Sequence, residues 1–446
     1  MSSTASGQAF SPKPAALSIS NRLSAAMSAR GLFYGWTVAG ATFLVMLATA
    51  GAMGAPGVII QPLEKEFGWS TAEISVALSV RLALFGLIAP FAAAFINRFG
   101  VRTVVVSAVA MIAAGILASM AMTEVWQLIA LWGVIVGIGT GMVALVLGAT
   151  IATRWFVERR GLVVGMLTAS NATGQLIFLP LIAKLTQDYG WRHALALVVL
   201  LLLGAGLVAL FLLRDRPSDL GLPAFGASAV EPAPRQDTSL RAMMASPLRA
   251  LYAVRTSRTF WVLFATFYVC GLSTNGLIQT HWVSLCGDYG IAPVAAAGAL
   301  AMIGVFDFVG TILSGWLSDR YDNRWLLFVY YGLRGVSLIL LPFTNFTMIG
   351  LSAFAVFYGL DWVATVPPTV RLTAEKFGAE KANLTFGWIF TAHQLGAATA
   401  AFGAGLARSD LSTYLPALYV AGSACIVAAA LALAIARPAR KTALAG

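Results

Sequence analysis

Four charged side chains lie inside long apolar stretches of this 446-residue sequence: Arg81, Asp307, Arg334 and Asp361. A charge at the depth of a lipid bilayer costs about 2.5–3.5 kcal/mol, so such residues are kept there for binding, proton transfer or ion pairing. A buried carboxyl group without a fixed cation favours its protonated form and can carry a proton. An arginine offers a planar fork that matches a carboxylate. The four positions therefore predict charge and proton chemistry within an apolar protein.

Arg81 is the candidate for binding an anionic substrate. It lies about nine residues inside its apolar stretch, which in a helix is a depth of about 13 Å. No other apolar stretch in the amino-terminal half carries an acid at depth, so a substrate carboxylate would supply the missing partner. The alternative is structural, with Arg81 capping helix carbonyls or reaching an acid of the other half.

Asp307 and Asp361 are the candidates for proton coupling, and Arg334 is the candidate for an intramembrane ion pair. The alternative for Asp307 is a permanent salt bridge to Arg334. Asp361 stands before the Pro367–Pro368 break, and the sequence leaves open whether it binds a proton or substrate or pairs with another helix. Arg334 has both acids as possible partners.

Polar side chains at similar depth complete the predicted substrate site. They are Asn171 and Gln175 in the fifth apolar stretch, Asn275 and Gln279 in the seventh, and His393 and Gln394 in the eleventh. Asn275 and Gln279 are four residues apart and share a helix face. Such groups either bond helices together or line a cavity, and six of them on three stretches favour a wet cavity of substrate size.

The elements that position these residues are membrane-spanning helices. The chain is 59% hydrophobic and 11% charged, far below the roughly one quarter of charged residues in a soluble domain. Apolar runs near 20 residues cross a bilayer as helices. We predict an all-α membrane protein with twelve helices, near 35–60, 72–96, 102–122, 127–152, 161–185, 192–213, 259–283, 293–316, 325–344, 347–368, 383–407 and 413–436.

The longest polar stretch, residues 214–258, divides these helices six and six. The predicted organisation is a flexible tail (1–30), a six-helix bundle (31–213), a linker (214–258), a second six-helix bundle (259–436) and a tail (437–446). Lys and Arg concentrate in the tails, the linker and the loops on the same side. This asymmetry predicts that both termini and the linker face the cytoplasm. We expect the membrane to be a plasma membrane, here the inner membrane of a bacterium.

An internal repeat supports two related halves. The loop after the second helix reads AAFINRFGVR (93–102), with Asn97, Arg98 and Arg102. The loop after the eighth reads GWLSDRYDNR (315–324), with Asp319, Arg320 and Arg324. Parallel repeats of this kind are a transporter design with the substrate site between the halves.

Both loops resemble the G-x-L-a-D-r-x-G-r-R/K signature of the major facilitator superfamily. The resemblance implies that these six polar residues form cytoplasmic loops that gate alternating access. The carboxy-terminal copy keeps Gly315, Leu317 and Asp319, whereas the amino-terminal copy has Ala93 and Asn97 at the Gly and Asp positions.

A narrower resemblance concerns the monocarboxylate transporter and oxalate:formate antiporter branch. It rests on Tyr34-Gly35-Trp36 and on the run WFVERRGLVVG (155–165). The branch carries small carboxylates, often with a proton, and its eighth helix holds an Asp followed four residues later by an Arg. Asp307 matches that Asp, but Thr311 stands at the Arg position, and Gly57 stands where related carriers have a Lys.

Taken together, these features predict a secondary active transporter, with proton-coupled uptake of a small organic anion by alternating access. The alternative is a carrier of a neutral or aromatic heterocyclic compound, by import or export.

The sequence has no H-E-x-x-H, G-x-S-x-G or Walker motif, which argues against an enzyme. Its three distant cysteines argue against a metal site. We expect a monomer in the bilayer, with no cofactor, no metal and no nucleic-acid partner.

Overall fold

The computed structural model describes residues 19–143, 146–230 and 239–436, and these form a helical bundle. Within them, ten helices are long and apolar enough to cross a membrane. Two more, of 30 and 33 residues, include side chains that lie outside the described part and bring the set to twelve. The membrane helices are α1 (Gly35–Phe67), α2 (Thr71–Phe99), α3 (Val101–Ser119), α4 (Val125–Trp155), α5 (Arg160–Tyr189), α6 (Trp191–Leu212), α7 (Arg258–Asp288), α8 (Pro293–Ser318), α9 (Asn323–Thr344), α10 (Met348–Phe377), α11 (Ala379–Leu411) and α12 (Leu415–Ala432). Each predicted stretch overlaps one of them, and the predicted fold class is confirmed.

Helix ends follow local sequence signals. Ser70 and Glu73 form a capping box that starts α2. Gly100, with φ of 83°, separates α2 from α3, and Gly190, with φ of 87°, separates α5 from α6. Only glycine adopts such angles without strain, so the chain turns between helices at these two residues.

The two halves meet along three helix pairs, α1 with α7, α2 with α11, and α5 with α8. Hydrogen bonds cross the α2–α11 pair, where Ser79 Oγ donates to the Ala398 carbonyl at 2.8 Å and Thr391 Oγ1 donates to the Gly86 carbonyl at 2.9 Å. At the end of the bundle farthest from the linker, the Ala72 backbone N–H donates to Ser409 Oγ at 2.9 Å. The halves are therefore in contact at the end opposite the linker, which we call the far face.

Gly133, Gly137, Gly139 and Gly141 of α4 let helices approach closely. A Cβ on Gly137 would lie 3.1 Å from the Arg81 backbone, and one on Gly139 would lie 2.8 Å from the Ile112 side chain. The glycine run therefore serves close helix packing.

The linker is structured where it is described. The Phe225 carbonyl accepts hydrogen bonds from the backbone N–H groups of Val157 and Glu158, at 2.9 and 3.1 Å, so the first part of the linker is fixed to the loop between α4 and α5. A helix over Leu240–Val254, which we call the linker helix, packs on α2 and α11. The face of the bundle that carries these segments is called the linker face.

The structure differs from the sequence prediction at the end of the amino-terminal tail. Residues 1–30 are predicted to be flexible, but Ile19–Ser28 forms a helix. Arg214 Nε donates to Ser20 Oγ at 2.7 Å, and Ser20 and Ser24 are buried. The reason is contact with the end of α6, a tertiary effect that composition does not reveal. The predicted carboxy-terminal tail (437–446) lies outside the described residues.

Candidate functional site

A cavity of about 710 Å³ lies between the two halves. Much of its wall is aromatic, from Phe85, Phe267, Phe308, Trp362, Phe386 and Phe390. Its polar wall consists of Thr49, Thr140, Cys270, Thr274, Asn275, Gln279, Asp307, Thr311, His393 and Gln394. Among the residues that the structure describes, no lysine or arginine lines this cavity. A cavity of this size and character fits a small organic molecule with a few polar groups.

Among the described residues, Asp307 of α8 is the acidic residue of the cavity wall. Its Oδ1 accepts a hydrogen bond from Thr311 Oγ1 at 3.1 Å and one from the Val363 backbone N–H at 2.9 Å. It takes part in no ion pair within the described part of the chain. Both donors to the carboxyl group are neutral, so no cation bonds to it directly.

Asn275 and Gln279 lie in a π-helical segment of α7, Leu272–Gln279, and both line the cavity. Segments of this type interrupt α-helices and are frequent at functional sites. The Thr280 hydroxyl donates to the Asn275 carbonyl at 2.7 Å, and this bond gives a hydrogen-bond partner to a backbone carbonyl of the π-helical segment. The predicted shared face of Asn275 and Gln279 is therefore turned toward the space between the halves.

His393 and Gln394 of α11 reach the cavity with hydrogen-bonding atoms unused. Nδ1 of His393 and Oε1 of Gln394 are buried and have no hydrogen-bond partner within the described residues. The His393 ring is parallel to Phe390, with centroids 5.8 Å apart, and lies 5.0 Å from Phe267. A buried polar atom without a partner is costly, so these two atoms mark a place where a ligand or water would bond.

Arg334 and Asp361 form an ion pair behind the wall of the cavity. Arg334 Nε lies 2.8 Å from Asp361 Oδ2, and Nη2 donates to the backbone carbonyls of Asp361 and Trp362. Arg334 Nη1 donates to Cys270 Sγ at 3.0 Å, and Cys270 itself lines the cavity. The sequence gives no signal for Cys270, because the contact depends on how α7, α9 and α10 pack together.

Arg81 lies outside the cavity lining. It is 5% exposed, and its Nη1 donates to the Met53 carbonyl at 3.2 Å. Met53 lines the cavity, so the guanidinium lies directly behind that part of the wall. Nε of Arg81 is buried without a partner among the described residues.

Asn171 and Gln175 are on α5, but their side chains lie outside the described residues.

The two loops of the repeat are bonded differently. After α8, Asp319 pairs with Arg371 of α10, and Arg371 Nε also lies 3.1 Å from Glu375 Oε1. After α2, Asn97 Oδ1 accepts from Arg154 Nη2 at 2.6 Å. Three of the four remaining loop residues have local partners. Arg98 stacks on Phe99, Arg320 stacks on Trp316 at 4.1 Å, and Arg324 Nη2 lies 2.6 Å from Asp322 Oδ2.

Asp215 of the linker supplies a carboxylate near the position where Asn97 replaces the Asp of the signature. Its Oδ1 accepts from the backbone N–H of Arg102 at 3.2 Å, in the first turn of α3. Its side chain packs on Gly100, where a Cβ would collide with it. An acid at a helix amino terminus is favourable, so the linker contributes the charge that this loop lacks.

Comparison with known proteins identifies the family. The family model described as Major Facilitator Superfamily matches residues 38–401 and 281–445. The chain is 27% identical to an MFS-type transporter, YcxA, of Bacillus subtilis, over 77% of this chain and 81% of the relative. It is 26% identical to monocarboxylate transporter 13 of Rattus norvegicus, over 87% of this chain and 86% of the relative. The crystal structure of a D-xylose–proton symporter superposes with a TM-score of 0.69 at 14% identity, over 91% of this chain and 98% of that one. Twelve helices in two related halves around a central cavity, together with this match, show that the chain belongs to the major facilitator superfamily, a family of membrane transporters and not of enzymes.

Proposed function

We propose that this transporter couples the movement of a small organic acid to a proton that binds Asp307. The observation that carries the proposal is the position of Asp307 at the cavity wall, held by a hydroxyl and a backbone N–H and without an ion-pair partner in the described residues. A carboxylate in such surroundings is destabilised relative to water, and binding a proton removes that cost. Protonation would then be linked to occupation of the cavity and to its closure.

The substrate class follows from the wall and from the relatives. Asn275, Gln279, His393 and Gln394 offer hydrogen bonds to a carboxyl or carbonyl group without a fixed positive charge. Relatives over most of the chain are named monocarboxylate transporters. A monocarboxylate-like organic acid that enters together with its proton satisfies both observations.

A second candidate is a neutral or aromatic heterocyclic compound. It is favoured by the aromatic wall and by the lack of lysine and arginine in the described lining. A cavity of about 710 Å³ also has room for a ring system. In this case Asp307 would still carry the proton, while the stacked pair of His393 and Phe390 would contact the ring.

We further propose that the linker face is cytoplasmic and that the chain lies in the inner membrane of a bacterium. Arg98, Arg102, Arg154, Arg320 and Arg324 cluster on that face, as the positive-inside rule requires. The cavity extends toward it as far as Leu162 near the start of α5, while the halves touch at the far face. The conformation described here would accordingly face inward, at the end of an uptake step.

Uptake of labelled compounds into proteoliposomes tests the proposal. The panel should hold short monocarboxylates, aromatic acids and neutral heterocycles, each measured with and without an imposed pH gradient. We expect accumulation of an acid driven by the gradient and abolished by a protonophore. Asp410→Asn, which changes an exposed acid outside the cavity, is the matched control for Asp307→Asn. Transport of a neutral compound alone would favour the second candidate, and uptake indifferent to the gradient would refute proton coupling.

A further inference from the structure

The linker helix Leu240–Val254 is fixed to the bundle by one face. Its Pro247 is buried, and the Pro247 carbonyl accepts a hydrogen bond from Trp388 Nε1 of α11 at 2.8 Å. Val254 is 4% exposed and packs in a cluster with Phe260 and Leu263 of α7. The helix therefore has a defined inward face and a defined outward face.

The outward face combines apolar side chains with arginines. Met244, Leu248 and Tyr252 are 44%, 51% and 67% exposed, and they follow one another at intervals of one helical turn. Exposed Arg241 and Arg249 flank them, and Arg255 stacks on the Tyr252 ring at 3.7 Å. The sequence from 239 to 287 contains no Asp or Glu. An apolar strip edged only by positive charge is the pattern of a helix that lies in the plane of a bilayer surface.

The residue that follows the linker helix is bonded to the start of α7. Trp261, near the start of α7, is 49% exposed, and its Nε1 donates to the Arg255 carbonyl at 2.6 Å. Exposed tryptophans at the ends of membrane helices concentrate at the headgroup level. With Trp261 at that level, Arg255 and the neighbouring Tyr252 would lie where lipid headgroups begin.

We propose that the outward face of the linker helix docks on anionic phospholipid headgroups of the leaflet at the linker face. Tyr252 and Leu248 enter the boundary between headgroups and acyl chains, while Arg241, Arg249 and Arg255 contact lipid phosphates. Because Trp388 lies on α11 between the cavity residues Phe386 and Phe390, the docked helix joins the lipid surface to the cavity wall. The inference does not depend on which substrate is carried.

Quenching of a fluorescent label by nitroxide lipids tests the docking in the full-length protein. The native cysteines Cys270, Cys286 and Cys425 are buried, so a label on Leu248→Cys reports the outward face. Val230→Cys, 45% exposed and outside the linker helix, is the control position. We expect strong quenching at 248 in bilayers of phosphatidylcholine with phosphatidylglycerol, weak quenching in phosphatidylcholine alone, and weak quenching at 230 in both.

Charge variants separate lipid docking from simple burial of apolar side chains. Each arginine near an anionic surface strengthens attachment about fivefold, so Arg241→Gln with Arg249→Gln and Arg255→Gln should weaken it about a hundredfold. The corresponding triple change to lysine keeps the charge and should keep the quenching. If the glutamine variant fails to insert, high salt applied to the unaltered arginines should release the label instead. Equal quenching at 248 and 230, or equal quenching at 248 with and without phosphatidylglycerol, would overturn the proposal.

Discussion

Arg334 of α9 and Asp361 of α10 form a buried ion pair, with Arg334 Nε 2.8 Å from Asp361 Oδ2 and both side chains almost inaccessible. Nη2 of Arg334 donates to two backbone carbonyls, and Nη1 donates to Cys270 Sγ. Asp307, on the neighbouring helix α8, is left to neutral donors. The carboxy-terminal half thus holds one paired acid behind the cavity and one acid at its wall that forms no ion pair among the described residues.

The first prediction concerns the stability of this pair. Arg334→Gln leaves the Asp361 carboxylate buried without its cation, which should lower the free energy of unfolding by about 3–5 kcal/mol. Arg334→Met combined with Asp361→Leu removes both charges and should recover most of that loss. Thermal unfolding of the purified protein in detergent measures both effects. A normal melting temperature in Arg334→Gln with transport abolished would mean that the pair serves transport and not folding.

Asp307→Asn should remove the coupling to the pH gradient. A gradient of one pH unit supports about tenfold accumulation when one proton moves with each substrate. The asparagine variant should only equilibrate its substrate, yet retain part of the exchange activity, because the amide still accepts from Thr311 and Val363. Continued accumulation by Asp307→Asn would mean that another group binds the coupling proton, with Asp361 as the next candidate.

The sequence predicts the helices well because each is a long apolar run with its own end signals, such as the capping box at Ser70 and the glycine turn at Gly100. It does not reveal which side chains meet across helices. Cys270 contacts Arg334 only because α7, α9 and α10 pack together. Asp215 supports the loop that lacks the signature Asp, although more than a hundred residues separate it from Asn97.

The depth of a residue in the membrane can likewise be predicted from its place in a helix. The direction in which its side chain points, toward the cavity or away from it, cannot. Asn275, Gln279 and His393 are predicted at the depth of a cavity and do line it. Arg81 has a similar depth, but its guanidinium bonds to the Met53 carbonyl behind the wall. Helical periodicity gives no unique inward face in spans that are apolar on all sides, so only the packed structure distinguishes these cases.

The loop after α8 leads to a prediction about transport rate. Asp319 pairs with Arg371, but both side chains are partly exposed, so Asp319→Asn should change the unfolding free energy by no more than about 1 kcal/mol. If this pair holds one state of the transport cycle, the turnover rate should fall severalfold while substrate affinity is kept. Turnover in proteoliposomes and melting temperature in detergent measure the two quantities. Reduced melting temperature with normal turnover per folded molecule would show a structural role only.

The last prediction distinguishes substrate recognition from packing at Arg81. Its guanidinium has one hydrogen bond, to the Met53 carbonyl, and an Nε without a partner in the described residues. Because the guanidinium lies behind the wall and does not line the cavity, we expect a packing role. Direct recognition would predict that Arg81→Lys, which keeps the charge but loses the planar fork, weakens binding of a carboxylate, and that Arg81→Gln removes most of it while the protein still inserts. A packing role makes a different forecast, namely a lower melting temperature in both variants. Substrate binding to detergent-solubilised protein, measured beside melting temperature, separates the two. Normal folding with undiminished affinity in Arg81→Gln would exclude direct recognition and favour a neutral substrate.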